Sequence, residues 1–161
     1  MRDRRFVASH RGGPLDVAKH RLLASWAADC AEHVLSLVKK CSSDNRPHQA
    51  VEVARAWTRG EVRVGDAQKA AVGAHAAARG LSSKSASAAA RAAGHAVATA
   101  HMADHSLGAA IYALKAVAAA GASPDVERAW QVERLPVEIR DLVMSAMESD
   151  RFSRFIPKIS A

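Results

Sequence analysis

Three histidines and an aspartate interrupt a stretch that is otherwise almost all alanine. Residues 94–117 read GHAVATAHMADHSLGAAIYALKAV, with His95, Thr99, His101, Met102, Asp104, His105 and Tyr112 as the side chains able to do chemistry or recognition. Imidazoles grouped in this way could hold a metal, move protons or line a ligand pocket. His101 and His105 have the i, i+4 spacing of a helical zinc pair, with Asp104 beside them. The glutamate of the HExxH type is absent and a third ligand would have to come from elsewhere, so hydrogen-bonded structural histidines are the reading, and neither metal nor cofactor is expected. On one continuous helix, His95, Thr99, Met102 and Ser106 share a face and His101 and His105 an adjacent one, which makes two polar stripes.

A second group lies near the N-terminus. His33 falls inside an apolar arc beside Trp26, and Asp29, one turn earlier, is placed to hold its imidazole by a hydrogen bond. His33, His95 and His101 are expected to converge with Asp29 in one polar cluster inside an apolar shell. His75 and Arg79 form another i, i+4 pair, pointing off an alanine face and expected to be solvated. Trp26, Trp57, Trp130 and the single tyrosine, Tyr112, are read as large fillers of a thin core, with Trp26, Trp57 and Tyr112 also candidates to line a site. The chain has no Gly-rich phosphate loop, CxxC pair, GxSxG elbow or Ser-Lys dyad, so nothing names a nucleophile, and the site residues are expected to bind rather than to catalyse.

These side chains need helices to position them. Apolar residues recur at three and four residue steps from Asp16 to about Lys39, which predicts a first helix. Pro47 starts a second that runs to Arg59 and stops at Gly60. Asp66 is placed to cap a third, with Ala67, Ala71, Ala74 and Ala78 as its smooth face and Gly80 as its stop. Residues 86–121 form a central alanine-rich tract, either one helix or a hairpin of two with Ser106 as the second cap, and the hairpin is favoured. Ser123-Pro124 starts the next helix and Leu135-Pro136 divides it from the last. The expected architecture is all-α, a compact bundle or short stack of about seven helices: a basic N-terminal arm at 1–15, one helical domain at 16–150 and a tail at 151–161.

Composition agrees with that class. Of 161 residues 37 are alanine, the best helix former, and aromatics are 4%, which argues against a sandwich or barrel. With 23 Lys+Arg against 16 Asp+Glu the net charge is +7, suited to an acidic partner; no long basic block or basic stripe with interleaved aromatics singles out nucleic acid, which is not expected. Cys30 and Cys41 lie roughly 16 Å apart along one predicted helix and cannot pair. No apolar leader follows Met1 and charged residues interrupt the alanine tracts, so no membrane span is expected and a reducing cytoplasm is the natural compartment.

The runs HRGGPL, WAADCAEHVL, ARAW, VGDA, AHAAAR and above all the segment at 94–117 resemble a bacterial family of immunity proteins, Imm-five-like. The resemblance runs from about Phe6 to Leu142. It implies an all-helical cytoplasmic protein from polymorphic-toxin neighbourhoods that protects its producer by binding a cognate toxin. It also implies Trp26, Asp29, Cys30, His33, Trp57, Asp66, His75, Arg79, His95, His101, Asp104 and His105 as the polar signature. The expected function is therefore stoichiometric binding of a toxin. The alternatives are sequestration of a small toxic molecule in an internal histidine-lined pocket, and an enzyme that uses the histidines.

Overall fold

The structure, a computed structural model, describes residues 2–158. Two 3-10 turns, Arg4–Phe6 and Ser9–Arg11, precede α1 (Val17–Val34), α2 (Ser36–Lys39), α3 (Arg46–Thr58), α4 (Val64–Arg79), α5 (Lys84–Ala98), α6 (His105–Ala119), α7 (Pro124–Glu133), α8 (Val137–Glu148) and α9 (Asp150–Ser153). The fold is all-α, as composition and periodicity predict. Among the described residues seven of these helices have ten residues or more.

Side-chain caps set the starts of α1, α5 and α7. Asp16 accepts from the Lys19 backbone at 2.8 Å, Ser83 from Ala86 at 3.2 Å and Ser123 from Val126 at 3.3 Å, each satisfying an amide that the helix leaves without an internal partner. Pro47 and Pro124 sit in first turns, and Gly60 and Gly121 leave α3 and α6 with φ near +74° and +81°. Two expected caps are corrected. Asp66 is inside α4, its carboxylate reaching back to the Arg63 backbone N–H at 3.0 Å. Ser106 is the second residue of α6, past the cap position held by Asp104, and its hydroxyl donates to the Ala103 carbonyl at 2.7 Å. The first predicted helix also ends sooner. A tighter bond from Leu35 N–H to the Glu32 carbonyl closes α1, and α2 follows as a separate turn.

The alanine tract is the centre of the molecule, as a hairpin. α5 packs against α1, α3, α4 and α6, and buries Ala86, Ala89, Ala90, Ala92, Ala93, Gly94, Ala96 and Val97. With methyls for side chains, neighbouring helices approach closely and little apolar area is left in water. The core therefore divides in two. Around α3, α4 and α5 it is mostly alanine, including the predicted Ala67, Ala71, Ala74 and Ala78. Around α1, α6 and α8 it is built from Phe6, Leu15, Leu23, Trp26, Leu107, Leu135, Ile139 and Met147.

The N-terminal segment belongs to that second part. Phe6 and Leu15 are 2% and 3% exposed, and Ala8 and Leu15 form a short parallel bridge. The Gly12-Gly13 turn makes this possible. At Gly13 a Cβ would lie 2.0 Å from the Val7 carbonyl oxygen, so no other residue fits. At the other end, Lys115 Nζ lies 4.9 Å from the Tyr112 ring centroid and 5.6 Å from that of Phe155; residues 159–161 of the expected tail lie outside the described residues. Among the described residues no helix is long and apolar enough to cross a membrane.

Candidate functional site

α1 turns Asp29, Glu32 and His33 toward one side, three and four residues apart, and α3 and α7 supply the opposite walls. The result is an open cleft of about 500 Å³ lined by Asp29, Glu32, His33, Arg55, Trp130 and Arg134. Arg55 donates to Asp29 at 2.9 Å and to Glu32, tying α3 to α1. Partial burial disfavours its charge, but the bonds to Glu32 and Asp29 outweigh that and hold the guanidinium above its usual basicity.

The predicted Asp29 to His33 bond is absent, because Arg55 has taken the carboxylate. His33 Nδ1 instead meets both oxygens of Glu127, at 2.9 Å each. Glu127 is 4% exposed, so this carboxylate is buried against an imidazole at the cleft wall. The His33 ring lies flat on Trp130, with centroids 3.6 Å apart and planes 1° from parallel. The Arg134 guanidinium stands 4.0 Å from the same Trp130 centroid. Two planar groups this near one centroid must occupy opposite faces, so Trp130 is clamped between an imidazole and a cation. Trp130 is half-buried, not the core filler its type suggests. Glu127 was not legible as a partner for His33: in the sequence it is an acidic residue in the first turn of α7, 94 positions away.

The histidines of the alanine tract form a different cluster. His95 Nδ1 and His105 Nδ1 are 3.1 Å apart, one ring donating and the other accepting. His75 meets His95 edge-on at 5.2 Å and Tyr112 stacks on it at 5.1 Å. His75 is thus half-buried, not solvated, while Arg79 is exposed as expected. Burial first, then the neighbouring His105, His75, Arg91 and Lys115, drives the His95 pKa down to about 3. Burial likewise lowers those of His75 and His105. The cluster is neutral and packed. A Cβ on Gly94 would lie 2.7 Å from the His75 ring, and one on Gly108 2.7 Å from the His95 ring, so each imidazole rests on a glycine.

That packing sets the sign of an otherwise identical change. Gly94→Ala and Gly108→Ala are expected to lower stability by about 1–2 kcal/mol, since displacing an imidazole outweighs the gain in helix propensity. Gly73→Ala places its methyl 3.6 Å from Arg46 Cδ, an ordinary contact, and is expected to raise stability by up to about 1 kcal/mol. Urea melts of the three variants check both signs.

The remaining predicted residues lie elsewhere. The chain reverses at 99–104, so the two polar stripes and the His101 to His105 helical pair do not form. His101 sits with Met102 against the N-terminal segment and His20, its Nδ1 buried without a partner. Thr99 is buried, and its carbonyl accepts from His20 Nε2 at 2.6 Å. His20 packs on Trp57 at 4.8 Å, and burial lowers its pKa. Trp26 is in the core. Asp29 and His33 line the open cleft, His95 bonds His105 in the buried cluster, and His101, near enough to His105 to affect its charge, lies against the N-terminal segment, so the four do not share the single hydrogen-bonded cluster expected of them. Among the described residues no group of three or more His, Cys, Asp or Glu could hold a metal ion.

Compared with protein families, residues 13–138 match the one described as "Imm-5 like putative immunity protein". The chain belongs to this immunity-protein family. No curated protein and no solved structure matches it. In this Imm-5 like chain the matched span contains the cleft, the histidine cluster and the central hairpin, and leaves out most of the N-terminal segment and α8. Cys30, one residue from Asp29, is fully buried; burial, then the Asp29 and Glu127 carboxylates, holds its thiol well above the usual range and makes it a poor nucleophile.

Proposed function

We propose that this chain confers immunity in the cytoplasm by stoichiometric binding of a cognate toxin protein, which docks over the cleft between α1, α3 and α7. The observation that carries the reading is the clamped Trp130. Protein interfaces draw most of their affinity from a few tryptophan, tyrosine and arginine side chains, most effectively when these are ordered before the partner arrives. Here one tryptophan is fixed between His33 and Arg134, and Arg55 is fixed by Asp29 and Glu32, all at the surface. Free Cys30 and Cys41 fit a reducing compartment. The volume of the cleft also suits a small toxic molecule, which is the second reading and moves that ligand from the interior to the surface.

Co-expression with candidate polymorphic toxins tests the proposal. The chain is expected to restore growth and to co-elute with the toxin at one to one. Trp130→Ala or Arg55→Ala, with unchanged helical content, is expected to weaken the complex about 30-fold, the consequence of losing roughly 2 kcal/mol at an interface anchor. Full protection by both variants would remove the cleft from the docking site. Protection without a complex, or chemical change of a small molecule over many turnovers, would overturn stoichiometric binding.

A further inference from the structure

The outer side of α4, α5 and α6 carries cations that nothing on the protein neutralises. Residues 67–124, which include all of α5 and α6 and most of α4, contain the bases Lys69, Arg79, Lys84, Arg91 and Lys115 against a single acid, Asp104. Asp104 is 8% exposed and lies 3.6 Å from Arg2 and 3.7 Å from Arg151, so its charge is already matched. On α3 the pattern is the opposite, since Arg46 is paired with Asp44, Arg55 with Asp29 and Glu32, and Arg59 with Glu61. Among the described residues Arg79, Lys84, Arg91 and Lys115 form no ion pair, and Arg91, although half-buried, makes no hydrogen bond either.

These cations are gathered in one place. α5 packs between α4 and α6, and its outward residues Lys84, Ser87, Ala88 and Arg91 line an open hollow of about 280 Å³ with Tyr112 of α6. Arg79 and Arg91 lie close enough to His75 to disfavour its charge, and Arg91 and Lys115 do the same to His95. Arg91 thus stands between the other two. The neighbouring imidazoles are neutral and supply no counter-charge. A half-buried guanidinium has lost part of its hydration and gained no acceptor for its donors, a cost that a docked anion removes.

We infer that this face holds an extended acidic segment of a protein partner, with Arg91 at its centre. The inference goes beyond the toxin reading and does not use the cleft. Carboxylates spaced along an extended chain reach Arg79, Lys84, Arg91 and Lys115 in turn, and the short side chains of Ser87 and Ala88 between them let its backbone lie close. The planar fork of Arg91 accepts a carboxylate through two parallel hydrogen bonds. The net charge of +7 steers a partner of that sign toward the chain. Nucleic acid suits the face less well. Single-stranded bases need an aromatic ring to stack on, and Tyr112, the one such ring on these three helices, already has His95 at 5.1 Å and Lys115 at 4.9 Å from its centroid.

The test titrates the full chain with a labelled glutamate-rich peptide of about twelve residues, roughly 40 Å when extended, and with its glutamine counterpart. The acidic peptide is expected to bind at one to one, more weakly as salt rises, and the glutamine peptide not to bind. Arg91→Gln is expected to weaken binding about 10-fold. Arg79→Glu combined with Lys84→Glu, at two exposed positions that leave the core untouched, is expected to weaken it about 30-fold. Lys19→Glu combined with Arg21→Glu makes the same change in net charge at exposed positions of α1 and is expected to leave affinity within about 2-fold. Equal losses in the two double variants would mean attraction by net charge alone and would overturn the inference. Binding of the glutamine peptide, or affinity unchanged by Arg91→Gln and by Arg79→Glu with Lys84→Glu, would do the same. So would a nucleic-acid duplex, or vesicles of anionic phospholipid, bound more tightly than the peptide at equal concentration of charge.

Discussion

Between pH 7 and pH 5 the folded chain is expected to lose about 2 kcal/mol of stability through His95 alone, and about 4 kcal/mol by pH 3. His95 takes up a proton near pH 3 when folded and near its ordinary 6.5 when unfolded. Between these values the unfolded chain holds the extra proton, so stability is complete above pH 6.5 and falls as pH falls. His75, His105 and His20 are shifted down for the same reason and act in the same direction. The groups around His95 come from three helices: His75 from α4, Arg91 from α5, and His105, Tyr112 and Lys115 from α6. The cations among them make a charged imidazole harder to hold. Urea titrations at pH 7.5, 6, 5 and 4 should show a falling midpoint with little change in slope, and His95→Gln should flatten that dependence. An equal midpoint at pH 7.5 and 5 would mean that the cluster is not neutral and packed as described.

Trp26→Ala is expected to cost about 3–5 kcal/mol, a large part of the roughly 5–15 kcal/mol that holds a domain of this size. Trp26 is 2% exposed among Leu23, Cys30, Leu107 and Leu135, in the half of the core that has large side chains. Its indole N–H donates to the Gln131 carbonyl at 2.9 Å, and the Gln131 side chain donates in turn to the Ala110 carbonyl at 3.1 Å. One ring therefore ties α1 to α7 and, through Gln131, to α6. Removing so large a ring from among close-packed neighbours leaves a cavity that they fill only in part. Trp26→Phe keeps much of the packing but leaves the Gln131 carbonyl without that donor, for an expected cost of about 1–3 kcal/mol. Denaturant unfolding followed by circular dichroism gives both numbers, and a loss below about 1 kcal/mol for Trp26→Ala would contradict the two-part core.

The sequence by itself determined the helices, because they depend on interactions within a few residues. The helices that begin at Asp16 and Ser123 start where predicted, although the caps expected at Asp66 and Ser106 lie inside their helices; a glycine stops α3, and the face of alanines on α4 is buried. The break at 99–104 was half legible. Polar residues interrupt the tract there, but whether the chain bends depends on what α5 and α6 pack against. Pairings across the fold were not legible. Asp29 and His33 have the right spacing to bond, yet Arg55 from α3 binds Asp29 and the buried Glu127 from α7 takes the imidazole. Spacing on one helix fixes which side chains are neighbours, whereas the strongest charged or buried partner arrives from another helix and wins by electrostatics and desolvation. The same holds for the histidines. The His75 and His95 rings fit because Gly94 and Gly108 face them from neighbouring helices and leave room for a ring, and His105 then reaches His95, a fit that exists only once α4, α5 and α6 are packed.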